Sequence, residues 1–497
     1  MVKIDDVFLN KAVKKGLDTI QKGGHLELED PNEIGKFIFG ILASGLELIP
    51  GYGDALAAVL NLFSSLIFQP KSAADIWEKL FKRIEQMIDS KIEEYHLETL
   101  KDKLAGLDAA INDFSALVKK HDEGKDVTTL LLGYFTSLHQ TMIVSMSEFT
   151  SPKYGVASLP WFALAATMHL KLLGDGIRHG RKWGFSADEV EFLQETFDKL
   201  TTETATVSQA EIASRHKLFL ENLMLDDTRM SEVPAETLEK WKFVHAYLAT
   251  MDDHAVPAIE TSSYVTYAKA TYESGRHNVK PEWEGLSGDD TGAETGAKFR
   301  AKMQYDADMT IHVLNYADFW PYLAGKDLTE EALTNLDREI FASRGRYDIR
   351  VNGNPWVDKP FPPVKRGEND QITAVYGGGV TNVELLQIKY GNTWGTAYGS
   401  DAIDKASTTN LDIKAGDYLS WLDVWFGQKL GCAQFWLNNG NMLREVGGSK
   451  KTRGKLWFVD HQVTSVYGIN YESYPPSGLE GIIVGFRPLY LKSDQGE

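Results

Sequence analysis

The sequence predicts a multidomain α and β protein, helical to about residue 330 and all-β beyond it. Three observations predict this. Apolar residues recur at three- and four-residue spacing through the first part. One stretch there, Gly155–Leu173, is apolar on nearly every side. From about Gly345 the pattern changes to short strands alternating with glycine-rich turns.

A chain of 497 residues holds two or three domains with a sizeable core. With 43% hydrophobic and 25% charged residues its composition is globular. A net charge of −18 argues against a nucleic-acid partner, which asks for a basic face. The single cysteine, Cys432, excludes an intrachain disulfide and a cysteine-based metal cluster. The first residues, MVKIDDVFLNKAVKKGLDTI, lack the apolar core of a standard signal peptide. No stretch has the long, nearly continuous apolar run of an obvious membrane span. The reading is a protein made in soluble form, as a monomer or small oligomer.

Residues 3–21 read as an amphipathic helix whose Lys11, Lys14, Lys15 and Lys22 invite a trypsin-like protease. Segment 1–24 is therefore a candidate for proteolytic removal. Phe37–Leu48 and Ala55–Phe68 read as two apolar helices broken by Pro50-Gly51-Tyr52-Gly53. Ser72–Lys120 reads as one long amphipathic helix with Ile76, Leu80, Ile84, Ile88 and Ile92 along its buried stripe.

Val127–Ser147 runs 21 residues without a formal charge. As a helix it spans about 31 Å, close to the hydrocarbon thickness of a bilayer. Leu131, Phe135, Leu138, Met142 and Met146 fall on one side. Thr129, Gly133, Thr136, Ser137, Gln140 and Thr141 fall on the other. Such a stripe suits a helix that faces water inside a bilayer and lipid outside, or the hydroxyl-rich outer face of a soluble bundle. A short connection, 150–154, leads to the apolar stretch, where Pro160 fits a first helical turn and Trp161, Phe162, Leu164 and Leu170 leave almost no polar side. Thr167, His169 and Lys171 interrupt it, and His169 reads as a buried, hydrogen-bonded histidine. Two uncharged helices so joined form an antiparallel hairpin that can enter a membrane with its backbone hydrogen bonds intact.

Beyond it, Ala235–Thr250 and Tyr264–Glu273 read as helices and Glu284–Gly296 as a loose acidic loop. Asp252, Asp253 and His254 read as a solvated turn. Strand candidates are Gln371–Val375, Val383–Lys389, Tyr418–Phe426, Cys432–Leu437, Leu456–Phe458 and Ile482–Phe486. Trp421, Trp425, Phe435, Trp436 and Trp457 read as core aromatics of this part. Trp394, Tyr398, Tyr467, Tyr471 and Tyr474 lie in turn-like stretches, free to stack on sugars or to seat a receptor. No HExxH, P-loop, GxSxG or paired CxxC pattern is present, so the sequence points to no enzyme, no cofactor and no metal.

His169–Phe185, HLKLLGDGIRHGRKWGF, closely resembles the central-helix block of the three-domain insecticidal δ-endotoxins. Ile76–Leu107 resembles that family's third helix. Met309–Leu323, with Phe299 and Arg300 upstream, resembles its seventh, and Leu336–Phe341 the strand that begins its second domain. Order and relative spacing agree over residues 30–345, apart from extra chain between Ser186 and Lys298. The resemblance implies a seven-helix bundle, placed at 25–330, whose 127–173 hairpin inserts into a target membrane, the first helix lining a pore and the second anchoring the bundle. Leu411–Asn441 and Gly478–Phe486 resemble jacalin-type lectins, which fold as a three-sheet β-prism. The second δ-endotoxin domain is also a β-prism, so both resemblances imply one at 335–492. The lectins' closing G-x-x-x-D, source of their sugar-binding aspartate, here aligns with Pro476 and Glu480, which leaves a carboxylate but not the glycine. The family's third domain finds no room in this chain.

The expectation is an insecticidal pore-forming toxin. Its partners would be the plasma membrane of target insect midgut cells and a surface receptor protein or glycan, with a homo-oligomer on insertion. A rival expectation is a soluble carbohydrate-binding defence lectin with a helical assembly domain.

Overall fold

The computed structural model describes residues 2–4, 82, 84, 94–150, 154–203, 263–277, 279, 291–345, 371–399, 407–410, 417–427, 429–469, 478–489 and 491–493. A helical region is followed by a sheet-rich region.

Helix α1, Glu94–Asp122, buries Leu100, Leu104, Leu107, Ile111, Phe114 and Val118, a stripe at three- and four-residue spacing. It runs through Gly106 without interruption, and its last turn carries Lys119, Lys120 and His121, which suit a helix C-terminus. Helices α2, Thr128–Phe149, and α3, Gly155–His179, follow. The chain turns at Gly184, whose φ of 97° favours glycine, into α4, Ala187–Thr201. Ser186 and Glu189 start α4 with a reciprocal capping box. Then come α5, Tyr264–His277, and a long composite helix: α6, Thr291–Met309, a π segment at Thr310–Leu314, α7, Asn315–Phe319, and a 3₁₀ turn at Trp320–Tyr322. Thr329 caps α8, Glu330–Leu336, by accepting from the Ala332 N–H at 3.1 Å. Helix α3 lies in the middle, against α2, α4, α5 and the π segment.

The strands form three main sheets. The first has the order β10-β9-β8-β11, from Met442–Gly447, Leu430–Leu437, Leu419–Phe426 and Thr452–Leu456. The second has the order β12-β13-β2, from His461–Ile469, Gly481–Pro488 and Ile340–Gly345. The third joins β5-β4-β3-β7, from Thr393–Trp394, Leu385–Tyr390, Ile372–Gly378 and Ser407–Asn410, and β6, Tyr398–Gly399, also pairs with β4. One apolar core collects residues from all three: Leu422 and Phe435, Val466 and Ile482, Val375 and Leu386. The composite helix belongs to both regions. Val313 and Tyr316 join the helical core, while Ala307 and Ile311 join the sheet core. Arg300 fixes the junction by donating from Nη1 to the Gly345 carbonyl at 2.7 Å.

Several expectations need correction. Residues 2–4 are a strand, β1, paired antiparallel with β14, Leu491–Ser493, so the first residues of the expected amphipathic helix are extended. Pro160 is the sixth residue of α3, not in its first turn, because the helix starts at Gly155. Residues 291–296 belong to α6, so the expected acidic loop is helical from Thr291 onward. The composite helix is not uniformly α over 309–323, since the π segment interrupts it. The strand expected at 456–458 lies at Thr452–Leu456. Trp421, Trp425, Trp436 and Trp457 are not core residues. Only Phe435 of that set is fully buried, because alternation sends the four indoles to the opposite face of the sheet from Leu422, Val424 and Phe435. Of the long helix's stripe only Ile84 falls among the described residues, and it is buried. The expected helices at 37–48, 55–68 and 235–250 and the Asp252-Asp253-His254 turn lie outside the described residues.

Candidate functional hairpin

Helices α2 and α3 form an antiparallel pair whose level residues meet in order. At the corner the Ser158 hydroxyl lies 3.0 Å from the carbonyl oxygens of both Phe149 and Tyr154. Farther along, His139 Nδ1 lies 2.8 Å from His169 Nε2. Farthest out, Gly176 gives room to Phe135, since a Cβ there would come within 2.7 Å of the Phe135 ring.

The faces of α2 differ sharply. Leu131, Phe135, Leu138, His139, Met142, Ser145, Met146 and Phe149 are buried. Thr129, Gly133, Thr136, Ser137, Gln140 and Thr141 are all exposed and share the outer face with Leu130, Ile143 and Val144, the last 68% exposed. No formal charge interrupts that face between Thr128 and Ser147. Three of its hydroxyls donate back to their own helix: Thr136 to the Leu132 carbonyl at 3.0 Å, Thr141 to Ser137 at 2.8 Å and Ser147 to Val144 at 2.8 Å. A hydroxyl satisfied inside its helix loses less on leaving water than a free one.

Helix α3 is buried from Gly155 to Gly176 but for half-exposed Val156. Trp161, Phe162, Leu164, His169 and Leu170 are each at most 3% exposed. Phe162 meets Tyr264, Tyr267 and Trp320, with ring centroids 5.6, 4.6 and 6.3 Å away. Among the described residues α3 is the one helix long and apolar enough to cross a membrane, a test that a buried core helix also passes. Thr167, His169 and Lys171, the polar interruptions of α3, all have partners. Trp320 Nε1 donates to Thr167 Oγ1 at 2.8 Å, and Thr167 donates to the Ala163 carbonyl at 2.7 Å. His169 Nδ1 meets the Tyr264 hydroxyl at 2.8 Å, so a chain of three polar side chains, His139–His169–Tyr264, ties α2 to α3 and α3 to α5. Lys171 donates to both carboxylate oxygens of Asp175, and Arg178 Nη2 donates to Asp175 Oδ1 at 2.7 Å. All three belong to one helix, at spacings of four and three residues.

Sequence reading missed Asp175, Arg178 and His139. Two left a signal: Asp175 stands four residues after Lys171, and Arg178 three after Asp175.

Of the described aromatic candidates in the sheet region, Trp394 lies apart from Tyr398 and Tyr467. Trp394, 37% exposed, sits on β5 opposite Lys389, whose Nζ lies 6.0 Å from its ring. Tyr398 pairs with Leu386 toward the other end of β4. It is half-buried and packs on Gly468, beside Tyr467. Tyr467 lies inside the nine-residue strand β12 rather than in a turn. Burial raises the Tyr398 hydroxyl above its usual range. Glu480 is half-buried in the turn before β13, its N–H donating to the Ile469 carbonyl at 2.8 Å. Tyr471, Tyr474 and Pro476 lie outside the described residues. Among the described residues no three His, Cys, Asp or Glu are grouped to hold a metal.

Residues 41–213, which contain this hairpin, match the family model "delta endotoxin, N-terminal domain". The pesticidal crystal protein Cry19Ba of Bacillus thuringiensis subsp. higo is 26% identical over 166 residues, 33% of this chain and 24% of that protein. The matched stretches span less than a third of the length of each of the first curated relatives. In fold, the crystal structure of the insecticidal crystal protein Cry7Ca1 of Bacillus thuringiensis superposes with a TM-score of 0.61 at 14% identity, covering 93% of this chain and 75% of that one. The crystal structure of PirB superposes with a TM-score of 0.55 at 14% identity, covering 92% of this chain and 94% of that one.

Proposed function

We propose that this chain, whose residues 41–213 match the delta-endotoxin N-terminal domain, belongs to that family and is an insecticidal pore-forming toxin. In this reading the helical region, 25–330, is the membrane-active domain. The sheets, 335–492, form a β-prism that docks on a gut-cell receptor protein or glycan. Cleavage within the lysine-rich start releases the first segment. The stretches 352–370, 391–401, 438–453 and 468–477 face the receptor; the second and third contain short strands as well as turns. Protomers then associate, and the α2–α3 hairpin leaves its neighbours for the bilayer.

The observation that carries this reading is the uncharged outer face of α2 beside α3, buried along nearly its whole length. A soluble bundle gains nothing from excluding Lys and Glu on an exposed helix face. A pore gains a hydroxyl-lined wall. On insertion Leu131, Phe135, Leu138, Met142 and Met146 exchange helix neighbours for lipid, while Thr129, Gly133, Thr136, Ser137, Gln140 and Thr141 line the water path. Keeping apolar surface from water is worth about 25 cal/mol per Å². The side-chain links His169–Tyr264 and Thr167–Trp320 from α3 to later helices are lost on leaving, at about 1 kcal/mol net each.

Dye release from liposomes, before and after trypsin treatment, tests the reading. Release by the treated protein is expected. Intact vesicles under both conditions, with lipids of the target gut membrane, would overturn it. Gln140→Lys sharpens the test: it leaves folding unchanged, and the ion selectivity of the pore in a planar bilayer shifts toward anions.

A further inference from the structure

The outer face of the four-stranded sheet carries a pattern that the hairpin reading does not use. In the pairing register Trp421 stands opposite Trp436, and Trp436 opposite Met442. Lys455 stands opposite Asp423, two residues along from Trp421 on the same face, and Trp457 continues that face past the end of β11. Met442, Trp436, Trp421 and Trp457 thus make one apolar row across four strands. Trp425 and Arg453 form a neighbouring row. Met442 is 46% and Trp457 37% exposed, although both are large and apolar.

Cations are interleaved with the indoles. Lys455 Nζ lies 5.0 Å from the Trp421 ring and 4.3 Å from that of Trp457. Lys450 Nζ and the Arg453 guanidinium lie 5.2 and 5.8 Å from the Trp425 ring. Trp421 and Trp436 stack at 5.6 Å with planes 7° apart. Lys450, Lys451, Arg453 and Lys455 are all exposed. The acids among them are Asp423, buried and bound by Arg453 at 2.8 Å, and Glu445, bound by Lys450 at 2.8 Å. Four cations against two occupied carboxylates give a positive patch on a chain of net charge −18.

We propose that this face is a docking surface for an anionic phospholipid bilayer, an inference that takes from the toxin reading only that a membrane is the target. Indoles rest at the bilayer interface because they are apolar in body and polar at one edge. Lysines and arginines beside them draw the face toward anionic headgroups. Sugars, by contrast, stack on open indole faces. Here the Trp421 ring is covered by Lys455 and Trp436, and the Trp425 ring by Lys450 and Arg453. What remains on offer is the exposed Trp457 indole, the Met442 thioether and ammonium.

Co-sedimentation with phosphatidylcholine vesicles, with and without phosphatidylserine, tests the proposal, with dye release scored separately on the same samples. Binding should need phosphatidylserine and weaken with salt. Lys451→Glu with Lys455→Glu should lower the partition coefficient at least about tenfold, and Trp457→Ala about tenfold. Lys326→Glu, an exposed lysine elsewhere, serves as control and should bind as the unaltered chain does. Unchanged unfolding midpoints confirm that the variants fold. The proposal falls if phosphatidylserine vesicles are not bound, if the patch variants bind them undiminished, or if those variants instead lose only capture on an acidic glycan array. Patch-dependent binding without dye release keeps this proposal and sinks the pore; dye release with patch-independent binding does the reverse.

Discussion

Replacing Glu273 with glutamine should stabilise the protein increasingly as pH rises. Glu273 lies on α5, 1% exposed, and its Oε2 has no hydrogen-bond partner. Burial, only partly offset by Arg276, pushes its carboxyl up from 4.5 to about 8. The folded chain therefore keeps this proton up to about pH 8, while the unfolded chain releases it near pH 4.5. Between those values the unfolded state binds fewer protons, so stability falls as pH rises. At about 1.4 kcal/mol per pH unit the loss is about 3 kcal/mol at pH 7 and about 4 kcal/mol at pH 8, where the folded carboxyl is itself half ionised. Glutamine copies the neutral carboxyl in shape and cannot ionise. Glu273→Gln should therefore match the parent near pH 4.5 and exceed it by about 3 kcal/mol at neutrality. Urea unfolding at a series of pH values across that window, followed by far-ultraviolet circular dichroism, gives both stabilities. A difference between variant and parent that stays constant across the window would show that Glu273 ionises freely in the fold, and would refute the reasoning.

Asp175→Asn removes the partner of the buried Lys171 ammonium and should cost about 3–5 kcal/mol, read as a lowered urea midpoint. Adding Lys171→Met to it should recover much of that loss. Gly174→Ala drives a methyl to within 2.5 Å of the Leu323 carbonyl oxygen and should destabilise by about 1–3 kcal/mol. Gly133→Ala meets open space on the outer face of α2 and should gain about 1 kcal/mol from helix propensity, both seen as shifts in melting temperature. Phe162→Ala empties a site lined by Tyr264, Tyr267 and Trp320 and should cost about 3–5 kcal/mol by the same melts.

Helices were legible where one face had to be apolar. The spacing of Leu131, Phe135, Leu138, Met142 and Met146 placed α2 to within two residues, and its polar stripe is the exposed one. The run from Trp161 to Leu173, apolar but for Thr167, His169 and Lys171, reads as a surrounded helix, and it is one. Lys171 read as an interruption because its charge is cancelled by Asp175 one turn later, beyond the stretch in view. In the sheets, hydrophobicity misled. Four tryptophans looked like core, yet alternation with Leu422, Val424 and Phe435 already assigned them to the opposite face. Strand β12 was missed because Gln462, Thr464 and Ser465 dilute its apolar signal; their neighbours, not their own character, make it a strand.

Lys171 and Arg178 share the one carboxylate of Asp175 along a single rod, which leaves the trio one net positive charge. Wherever α3 goes, Asp175 goes with Lys171 and Arg178. The electrostatic toll of relocation is then nearly fixed by the rod itself. Whether it stays or departs is decided by fit against its neighbours, so packing variants along α3 should tune the threshold for departure more steeply than changes in ionic strength.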